Sequence, residues 1–327
     1  MSPMVQGFVT ILIGVGGCVA YFWLSNLLID KVIFPARGPN IGRNINRANQ
    51  VRPWLFLFPA VFALGLYLVY PVVGSFWRSL FDRSGNEFVG LGNYALLAAD
   101  PEFRLSVRNN LLWVLVVPAL STFFGLLVAQ LTDRLSWGNV AKSLIFMPMA
   151  ISFVGASLIW KFVYANDPNI GIINAIRVDL LGASGPVDPM QIPFWNNFFL
   201  MVILIWIQTG FAMVILSAAL RGIPEETVEA AIIDGASPLQ VFFQIKVPQI
   251  MGTIVVVWTT ITILVLKVFD IVYTMTGGNF GTQILPSYMM AYMFRDDGRA
   301  TAVAFVIMLL VLPVMIWNIR QARREMA

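Results

Sequence analysis

Seven long apolar stretches constrain what this chain can fold into. Each runs for roughly 19 to 26 residues, enough at about 1.5 Å per residue for a helix to cross the roughly 30 Å of a bilayer's hydrocarbon core. Helices are expected because a backbone in lipid must satisfy its own hydrogen bonds, and the alternating pattern of a β-barrel is absent. We therefore predict an all-α integral membrane protein. The predicted spans are Gly7–Ile29, Pro53–Ser75, Asn109–Leu131, Leu144–Ala165, Asn196–Leu220, Met251–Thr276 and Ala300–Asn318.

The composition excludes several classes of protein. Only 12% of the 327 residues are charged, whereas a soluble domain usually carries about 25%. The chain has no histidine, which argues against intramembrane proteases and haem-binding spans that need it. The single cysteine, Cys18, cannot form an internal disulfide. The modest net charge of +4 does not indicate a nucleic-acid partner, and we predict no catalytic site and no metal site.

Lysine and arginine residues predict the orientation of the spans. If the C-terminus is cytoplasmic, the inside segments hold 12 of these residues and the longer outside segments hold seven. We therefore expect a multi-pass protein of the cell membrane with its C-terminus in the cytoplasm. The strongest cues follow the first span and end the chain: Lys31, Arg37, Arg43, Arg47, Arg52, Arg320, Arg323 and Arg324.

The chain is predicted to divide into two parts. Residues 1–52 would form an N-terminal transmembrane helix and a basic cytoplasmic linker, and residues 53–327 a six-span core. The linker over Arg37–Arg52 is rich in Gly, Asn and Arg, so we expect it to be weakly structured. The first span could instead lie along the core or in the membrane interface. No Lys or Arg precedes it, so we do not expect it to be a cleaved signal.

The predicted loop between spans five and six, residues 221–250, is too long and too ordered for a plain connector. Pro224 followed by two acids predicts the start of a helix, because proline and acidic side chains favour the first turn. Gly235 predicts its end, and Ser237 followed by Pro238 predicts a second start. We expect two short helices with a tight corner. Four apolar side chains are expected to anchor them to the core: Ile232, Ile233, Phe242 and Phe243.

This loop resembles the "EAA" loop of binding-protein-dependent ABC permeases, whose pattern is E-A-A-x3-G-x9-I-x-L-P. Here Glu229-Ala230-Ala231 is followed after three residues by Gly235, and after nine more by Ile245-Lys246-Val247-Pro248. The chain departs from the pattern at Val247, where Leu is usual. The loop also lies on the predicted cytoplasmic side, two spans before the C-terminus, as in that family. We call residues 221–250 the EAA segment.

The resemblance implies a six-helix ABC importer permease core, here with one extra N-terminal transmembrane helix. It also implies that the EAA segment is a coupling helix that docks into a cleft on a separate ATPase subunit. Its four acids outnumber its two bases, which suits a basic rim on that partner. The alternative is a solvated interfacial hairpin without a partner. The implied coupling residues are Glu225, Glu226, Glu229, Ala230, Ala231, Asp234, Gly235, Ile245 and Pro248.

Other stretches are similar to the carbohydrate-uptake branch of these permeases, the maltose/α-glucoside-like group. Residues 88–94 (FVGLGNY) with Asp100-Pro101-Glu102-Phe103 and Arg108-Asn109-Asn110 match an outer segment of that branch. Residues 267–278 resemble the end of its fifth core span, although Asn279-Phe280 stand where Gly and Pro are common. The resemblance covers residues 53 to 327. It implies an oligosaccharide substrate, with α-glucoside permeases closest because of the extra first span.

The same resemblance implies a set of partners. They are a second homologous permease, two ATPase subunits, an extracytoplasmic solute-binding protein and the membrane lipid. The chain contains no G-x-x-x-x-G-K-[ST] motif, so ATP and its magnesium ion are expected on the partner ATPase and no cofactor in this chain. We therefore predict a transport subunit, not an enzyme, that works by alternating access.

Polar residues inside the spans are candidates for a substrate pathway, because such residues usually face the interior of a helix bundle. Lys267 and Asp270 are spaced i,i+3, which predicts one helical face. Amide and carboxylate groups could replace water around sugar hydroxyls, and Trp206 could stack on a sugar ring. Alternatively, the threonines bond their own helices, and Lys267 and Asp270 form a structural ion pair. The candidates are Asn110, Trp206, Gln208, Thr209, Lys267 and Asp270.

Three other functions remain open at this point. An ion-driven secondary transporter would be expected to show midplane acidic pairs or matched broken helices. A membrane enzyme would be expected to show a carboxylate cluster at membrane depth. An ABC importer permease for another solute class would share the EAA segment but lack the outer segment at residues 88–103.

Overall fold

The computed structural model describes residues 2–35, 41–133 and 135–325. Residues 36–40, where the predicted linker begins, and the side chains of Arg323 and Arg324 lie outside the described residues. The described α-helices are α1 (Pro3–Leu28), α2 (Ile41–Leu64), α3 (Tyr70–Arg78), α4 (Gly92–Ala99), α5 (Pro101–Thr132), α6 (Gly138–Phe146), α7 (Phe153–Val163), α8 (Ile172–Ala175), α9 (Trp195–Arg221), α10 (Glu225–Ile233), α11 (Pro238–Gln240), α12 (Val247–Gln249), α13 (Met251–Leu266), α14 (Asp270–Thr276), α15 (Leu285–Tyr292) and α16 (Asp297–Glu325). Short π-helical turns follow α1, α2, α8 and α11 at Ile29–Ile33, Gly65–Val69, Ile176–Leu180 and Val241–Lys246, and 3-10 turns lie at Met147–Ala150 and Pro189–Gln191.

Within the described ranges, five helical stretches are long and apolar enough to cross a membrane. They are α1 with its π turn, the continuous α2–α3 stretch, α5, α9 and α16. Two bent helix pairs, one joining α6 to α7 and one leading into α13, raise the number to seven if each pair is one span. The seven follow the order of the predicted spans, so the prediction of an all-α membrane protein is confirmed.

Contacts between Cα atoms divide the chain into two units, Met1–Gly74 and Ser75–Ala327. In the first unit, α1 and α2 pack against each other as a hairpin. Near the connection, Arg52 forms a 2.7 Å ion pair with Asp30. The prediction of a weakly structured linker is wrong for the residues from Ile41 onward, because α2 begins there.

A hydrogen bond between α1 and α2 compensates for a proline inside α2. Pro59 has no N–H group to donate to the carbonyl of Leu55, one turn earlier. The hydroxyl of Tyr21 on α1 donates to that carbonyl instead, at 2.9 Å. Since a backbone carbonyl in lipid has no water to bond, this contact stabilises the pairing of the two helices.

In the second unit, α5 and α9 run side by side and in the same direction. At one end, Asn109 of α5 and Asn197 of α9 donate hydrogen bonds to the same carbonyl, that of Gly281, at 2.9 and 3.5 Å. At the other end, Asp133 accepts a hydrogen bond from Ser217 of α9 at 3.1 Å. The parallel pair therefore connects the two ends of the helical bundle.

The contact between α5 and α9 requires a glycine at position 125. A Cβ atom there would overlap the side chain of Ala212 and lie 2.8 Å from the backbone nitrogen of Met213. Small residues allow such close approach in membrane helices, where dispersion contacts drive association. The core around this contact is supplied mainly by α9, with fully buried Leu200, Met201, Ile203, Leu204 and Leu216.

The fourth predicted span, Leu144–Ala165, is not a single helix as expected. After α6 the chain forms a 3-10 turn that contains Pro148, and α7 then starts at an angle of 105°. Proline cannot donate the hydrogen bond that would continue α6. Ser152 then caps α7 by accepting a hydrogen bond from the Gly155 N–H at 3.1 Å. The break follows from these two local signals.

The sixth predicted span, Met251–Thr276, is also divided. Helix α13 ends at Leu266 and α14 begins only at Asp270. A 70° bend also separates α13 from the preceding stretch of α11 and α12. The predicted helical face shared by Lys267 and Asp270 is therefore wrong, because the two residues flank a break between helices.

Candidate functional site

The EAA segment folds into the two short helices that its sequence predicts. Gly235 follows α10 with a φ of +85°, and the N–H of Ala236 donates to the carbonyl of Ala231 at 2.9 Å. Ser237 and Gln240 then form a reciprocal cap on α11, with hydrogen bonds of 2.8 and 3.4 Å. The predicted helix end and second start are thus confirmed. The corner is fixed by local backbone geometry.

Most of the predicted coupling residues lie on the surface of this segment. They belong to α10, to the corner that follows it, to the π-helical turn Val241–Lys246 and to α12. Two of them, Ala231 and Ile245, are half-buried. The exposed ones are Glu225, Glu226, Glu229, Ala230, Asp234, Gly235 and Pro248.

The apolar side chains expected to anchor the segment mostly face outward, so that prediction is wrong. Ile233 is 85% exposed and Phe243 is 63% exposed. Ile232 is also exposed, and Phe242 is half-buried. Attachment comes instead from Val241, which is 5% exposed. The segment therefore presents acids and large apolar side chains together, a combination typical of a surface that binds protein.

A groove of about 620 Å³ opens beside α10, at the end of α9. Its apolar lining comes from Leu220, Ile223 and Val228. Its charged lining consists of two bases and two acids on opposing elements: Arg221, Lys246, Glu225 and Glu229.

The EAA segment is tied to α5 through Asp133, the residue at the C-terminal cap of that helix. One carboxylate oxygen, Oδ1, accepts hydrogen bonds from Ser217 at 3.1 Å and from Arg221 at 3.1 and 3.2 Å. Lys142 of α6 pairs with the same oxygen and also donates to the Ser217 hydroxyl at 2.5 Å. Three helices therefore meet at one carboxylate.

The electrostatics of this contact keep Asp133 charged. Burial by itself would raise the pKa of the Asp133 carboxyl, but hydrogen bonds from Lys142 and Ser217 and the charge of Lys142 lower it below its ordinary value. The carboxylate is therefore ionised at neutral pH.

Sequence reasoning missed this cluster. It treated Lys142 only as a charge that sets orientation and Arg221 only as a base of the EAA segment. The available signal was an acid directly after an apolar stretch, with a lysine nine residues later. Sequence alone does not show that α9 places a serine and an arginine beside them.

At the opposite end of α5, the pathway candidate Asn110 holds a turn. It is 2% exposed, and its Oδ1 accepts a 2.6 Å hydrogen bond from the N–H of Leu285. The neighbouring Asn109 donates to the carbonyls of Gly281 and Gln283 at 2.9 and 2.8 Å. Together they fix the connection between α14 and α15.

The three candidates on α9 have different surroundings. Thr209 donates to the carbonyl of Ile205 at 2.7 Å, and Trp206 is half-buried with its ring edge-on to Trp160 at 5.8 Å. Gln208 is 4% exposed, and its side-chain amide has no hydrogen-bond partner among the described residues. The alternative that threonines bond their own helix holds for Thr259, Thr260 and Thr262 of α13.

Lys267 and Asp270 lie at the break between α13 and α14. Lys267 is exposed and Asp270 is half-buried. Neither makes an ion pair within the described part of the chain. The alternative of a structural Lys267–Asp270 pair is therefore wrong.

Comparison with known proteins assigns the family. A family model described as "Binding-protein-dependent transport system inner membrane component" matches residues 121–325, which is more than half of the chain and includes the EAA segment. The chain belongs to this family. The permease is 62% identical to the alpha-glucoside transport system permease protein AglF of Rhizobium meliloti (strain 1021), over 99% of each chain. It is 48% identical to the osmoprotective compounds uptake permease protein GgtC of Synechocystis sp., over 83% of this chain and 99% of that one.

The fold of the permease is similar to that of a chain in a solved transporter. In the crystal structure of a bacterial alginate ABC transporter in complex with alginate pentasaccharide-bound periplasmic protein, the matching chain gives a TM-score of 0.72 at 19% identity. The match covers 88% of this permease and 98% of that chain. At this identity the likeness supports the fold alone.

These findings confirm the family and the class predicted from the sequence. The protein is a multi-pass inner-membrane permease subunit of a binding-protein-dependent ABC importer, in the carbohydrate-uptake branch. It is a transport subunit, not an enzyme.

Proposed function

We propose that this permease forms half of the translocation pathway of an ATP-driven importer of α-glucosides. The observation that carries the substrate class is the 62% identity to an α-glucoside permease over 99% of each chain. The other half of the pathway would come from a second, homologous permease. An extracytoplasmic solute-binding protein would deliver the sugar. ATP and magnesium would bind to two partner ATPase subunits.

The EAA segment is the proposed site of coupling to the ATPase. Its exposed acids suit a basic rim on that subunit, and exposed side chains such as Ile233 and Phe243 would become buried on docking. Because the corner at Gly235 is fixed by local hydrogen bonds, the segment can transmit a displacement of the ATPase surface as a rigid element. Docking to an ATPase requires the segment to lie in the cytoplasm, and we propose the same side of the membrane for the C-terminus.

Two of the pathway candidates have polar groups available to a substrate. Gln208 is 4% exposed and its side chain makes no hydrogen bond among the described residues, so its amide oxygen and nitrogen are both free to bond a substrate. The ammonium of Lys267 is exposed and unpaired in the same part of the chain. We include Asp270 at the same helix break, and Trp206 and Thr209 beside Gln208. Asn110 would act by shaping the turn that it holds.

Uptake of a radiolabelled α-glucoside by cells tests this proposal. Cells that lack the chain should lose uptake and regain it with the wild-type gene. Unlabelled α-glucosides should compete, whereas amino acids and phosphate should not. Competition by another solute class alone would support a permease of a different uptake branch.

The coupling role is tested in the same cells with Glu229→Lys. Reversing this exposed charge should abolish uptake while the protein remains in the membrane. The matched control is Glu87→Lys, the same change at an exposed acid far from the EAA segment, which should retain uptake. Normal uptake by Glu229→Lys would contradict the coupling role.

A further inference from the structure

Asp133 joins the start of the EAA segment to helices α5 and α6. Its Oδ1 contacts Lys142 in the middle of α6 and both Ser217 and Arg221 at the end of α9. Ser217 is 5% exposed, and the side chain of Lys142 is 13% exposed. Lys142 and Ser217 are therefore largely shielded from water, in surroundings where charge interactions are stronger, whereas the side chain of Arg221 is 61% exposed.

The two ends of the EAA segment attach to the same turn of α5. Arg221, at its start, bonds Asp133. Lys246, near its end, donates to Gln130 Oε1 at 3.5 Å. Gln130 and Asp133 are one helical turn apart, so the last turn of α5 receives both ends of the segment.

We propose that Asp133 is a positioning residue that transmits movement of the EAA segment to the transmembrane helices. The proposal rests on the coupling role proposed above for that segment. When the segment moves with the ATPase, Arg221 at its start and Ser217 on the adjoining end of α9 carry Asp133 and α5 with them. Lys142 passes the same displacement to α6 and to the bent α6–α7 pair. Helices α5, α6 and α9 then shift as one body.

The proposed transmission of movement depends on the negative charge of Asp133. Lys142 and Arg221 are both cations that converge on one oxygen atom. Without a carboxylate between them they would repel each other, and the largely buried Lys142 would have no anion. The contact between α6 and the end of α9 would then be weaker.

A cluster that only stabilised the fold would behave differently from one that transmits movement. Loss of a purely structural ion pair lowers the amount of assembled complex, but the complexes that form respond normally to substrate. Loss of a transmitting residue changes the response of assembled complexes. The ratio of substrate-stimulated to basal ATP hydrolysis separates the two roles.

The test compares Asp133→Asn with wild type in the purified importer, reconstituted with its ATPase and binding protein. We expect the ATPase subunit to stay bound and the stimulation by an α-glucoside to fall about tenfold, within the usual range of a coupling free energy. Asp133→Glu, which keeps the charge, should restore most of the stimulation. The matched control is Asp30→Asn, which breaks the Asp30–Arg52 ion pair in the first unit and should leave stimulation unchanged.

Full stimulation in Asp133→Asn, or an equal loss in Asp30→Asn, would overturn the proposal. If Asp133→Asn does not assemble, Ser217→Ala removes only one hydroxyl from the cluster and should still reduce stimulation. Unchanged stimulation in Ser217→Ala would then overturn the proposal as well. If the wild-type complex shows no stimulation by an α-glucoside, the proposed function itself fails, and this proposal fails with it.

Discussion

Replacement of Gly235 by valine should impair transport through the backbone alone. The residue has a φ of +85°, and nothing lies within 4 Å of the position that a Cβ atom would occupy. No side-chain clash therefore contributes to the effect. A residue with a Cβ atom in the left-handed region costs about 1–2 kcal/mol, which corresponds to a roughly five- to thirty-fold lower ratio of the native corner to its alternatives. Uptake should fall, by at most a factor in this range.

The assay is initial-rate uptake of a labelled α-glucoside at equal amounts of protein in the membrane. Gly235→Asn should retain more uptake than Gly235→Val, because asparagine tolerates left-handed backbone better than a β-branched residue does. Gly182→Val is the matched control, since Gly182 has a φ of +64° and equally open surroundings but lies outside the EAA segment. Full uptake in Gly235→Val, or an equal loss in Gly182→Val, would refute the reasoning.

Two further predictions concern contacts between helices, and a third concerns the proposed substrate pathway. Tyr21→Phe removes the hydrogen bond to the Leu55 carbonyl and should lower the stability of the first unit by about 1 kcal/mol, measured by thermal unfolding in detergent; an unchanged unfolding temperature would contradict it. Gly125→Val should separate α5 from α9 and cost about 1–3 kcal/mol or more, measured in the same way, whereas Gly16→Val, with open space around it, should cost far less. Lys267→Ala should raise the KM for uptake several-fold, since its exposed ammonium has no partner among the described residues; an unchanged KM would place it outside the pathway.

The positions of the spans could be predicted because each depends on a long local run of apolar residues. The two helices of the EAA segment could also be predicted, since their limits depend on local signals at Gly235 and at Ser237-Pro238. In both cases the information lies within a few residues of the feature itself. Neither required knowledge of which helix packs against which.

The breaks inside two spans were not predicted, because hydropathy does not distinguish a straight apolar helix from a bent one. Pro148 and Ser152 did signal the break between α6 and α7, but the apolar run continues through them. At residues 267–269, Val268 and Phe269 likewise extend the apolar character across the gap between α13 and α14. At such points the local backbone chemistry decides where a helix ends, and hydropathy averaged over a whole span does not show it.

The surroundings of the candidate residues also depend on packing that sequence spacing does not show. Asn110 was expected to be free for a substrate, but its Oδ1 accepts a hydrogen bond from Leu285, 175 residues away in the chain. Ile233 and Phe243 were expected to face the core and are exposed instead. Apolar character predicts that a residue will be buried, but it does not tell whether the burial occurs within the chain or against a partner.

The central claim is that this permease works with a separate ATPase to import α-glucosides. The most direct test is to purify the tagged chain from native membranes in detergent, to identify the proteins that come with it, and to measure ATP hydrolysis with α-glucosides and binding protein. We predict that an ATPase subunit and a second permease co-purify and that an α-glucoside stimulates hydrolysis. A chain that purifies alone, with no bound ATPase, would contradict the coupling role of the EAA segment. Partners without sugar stimulation would contradict the substrate.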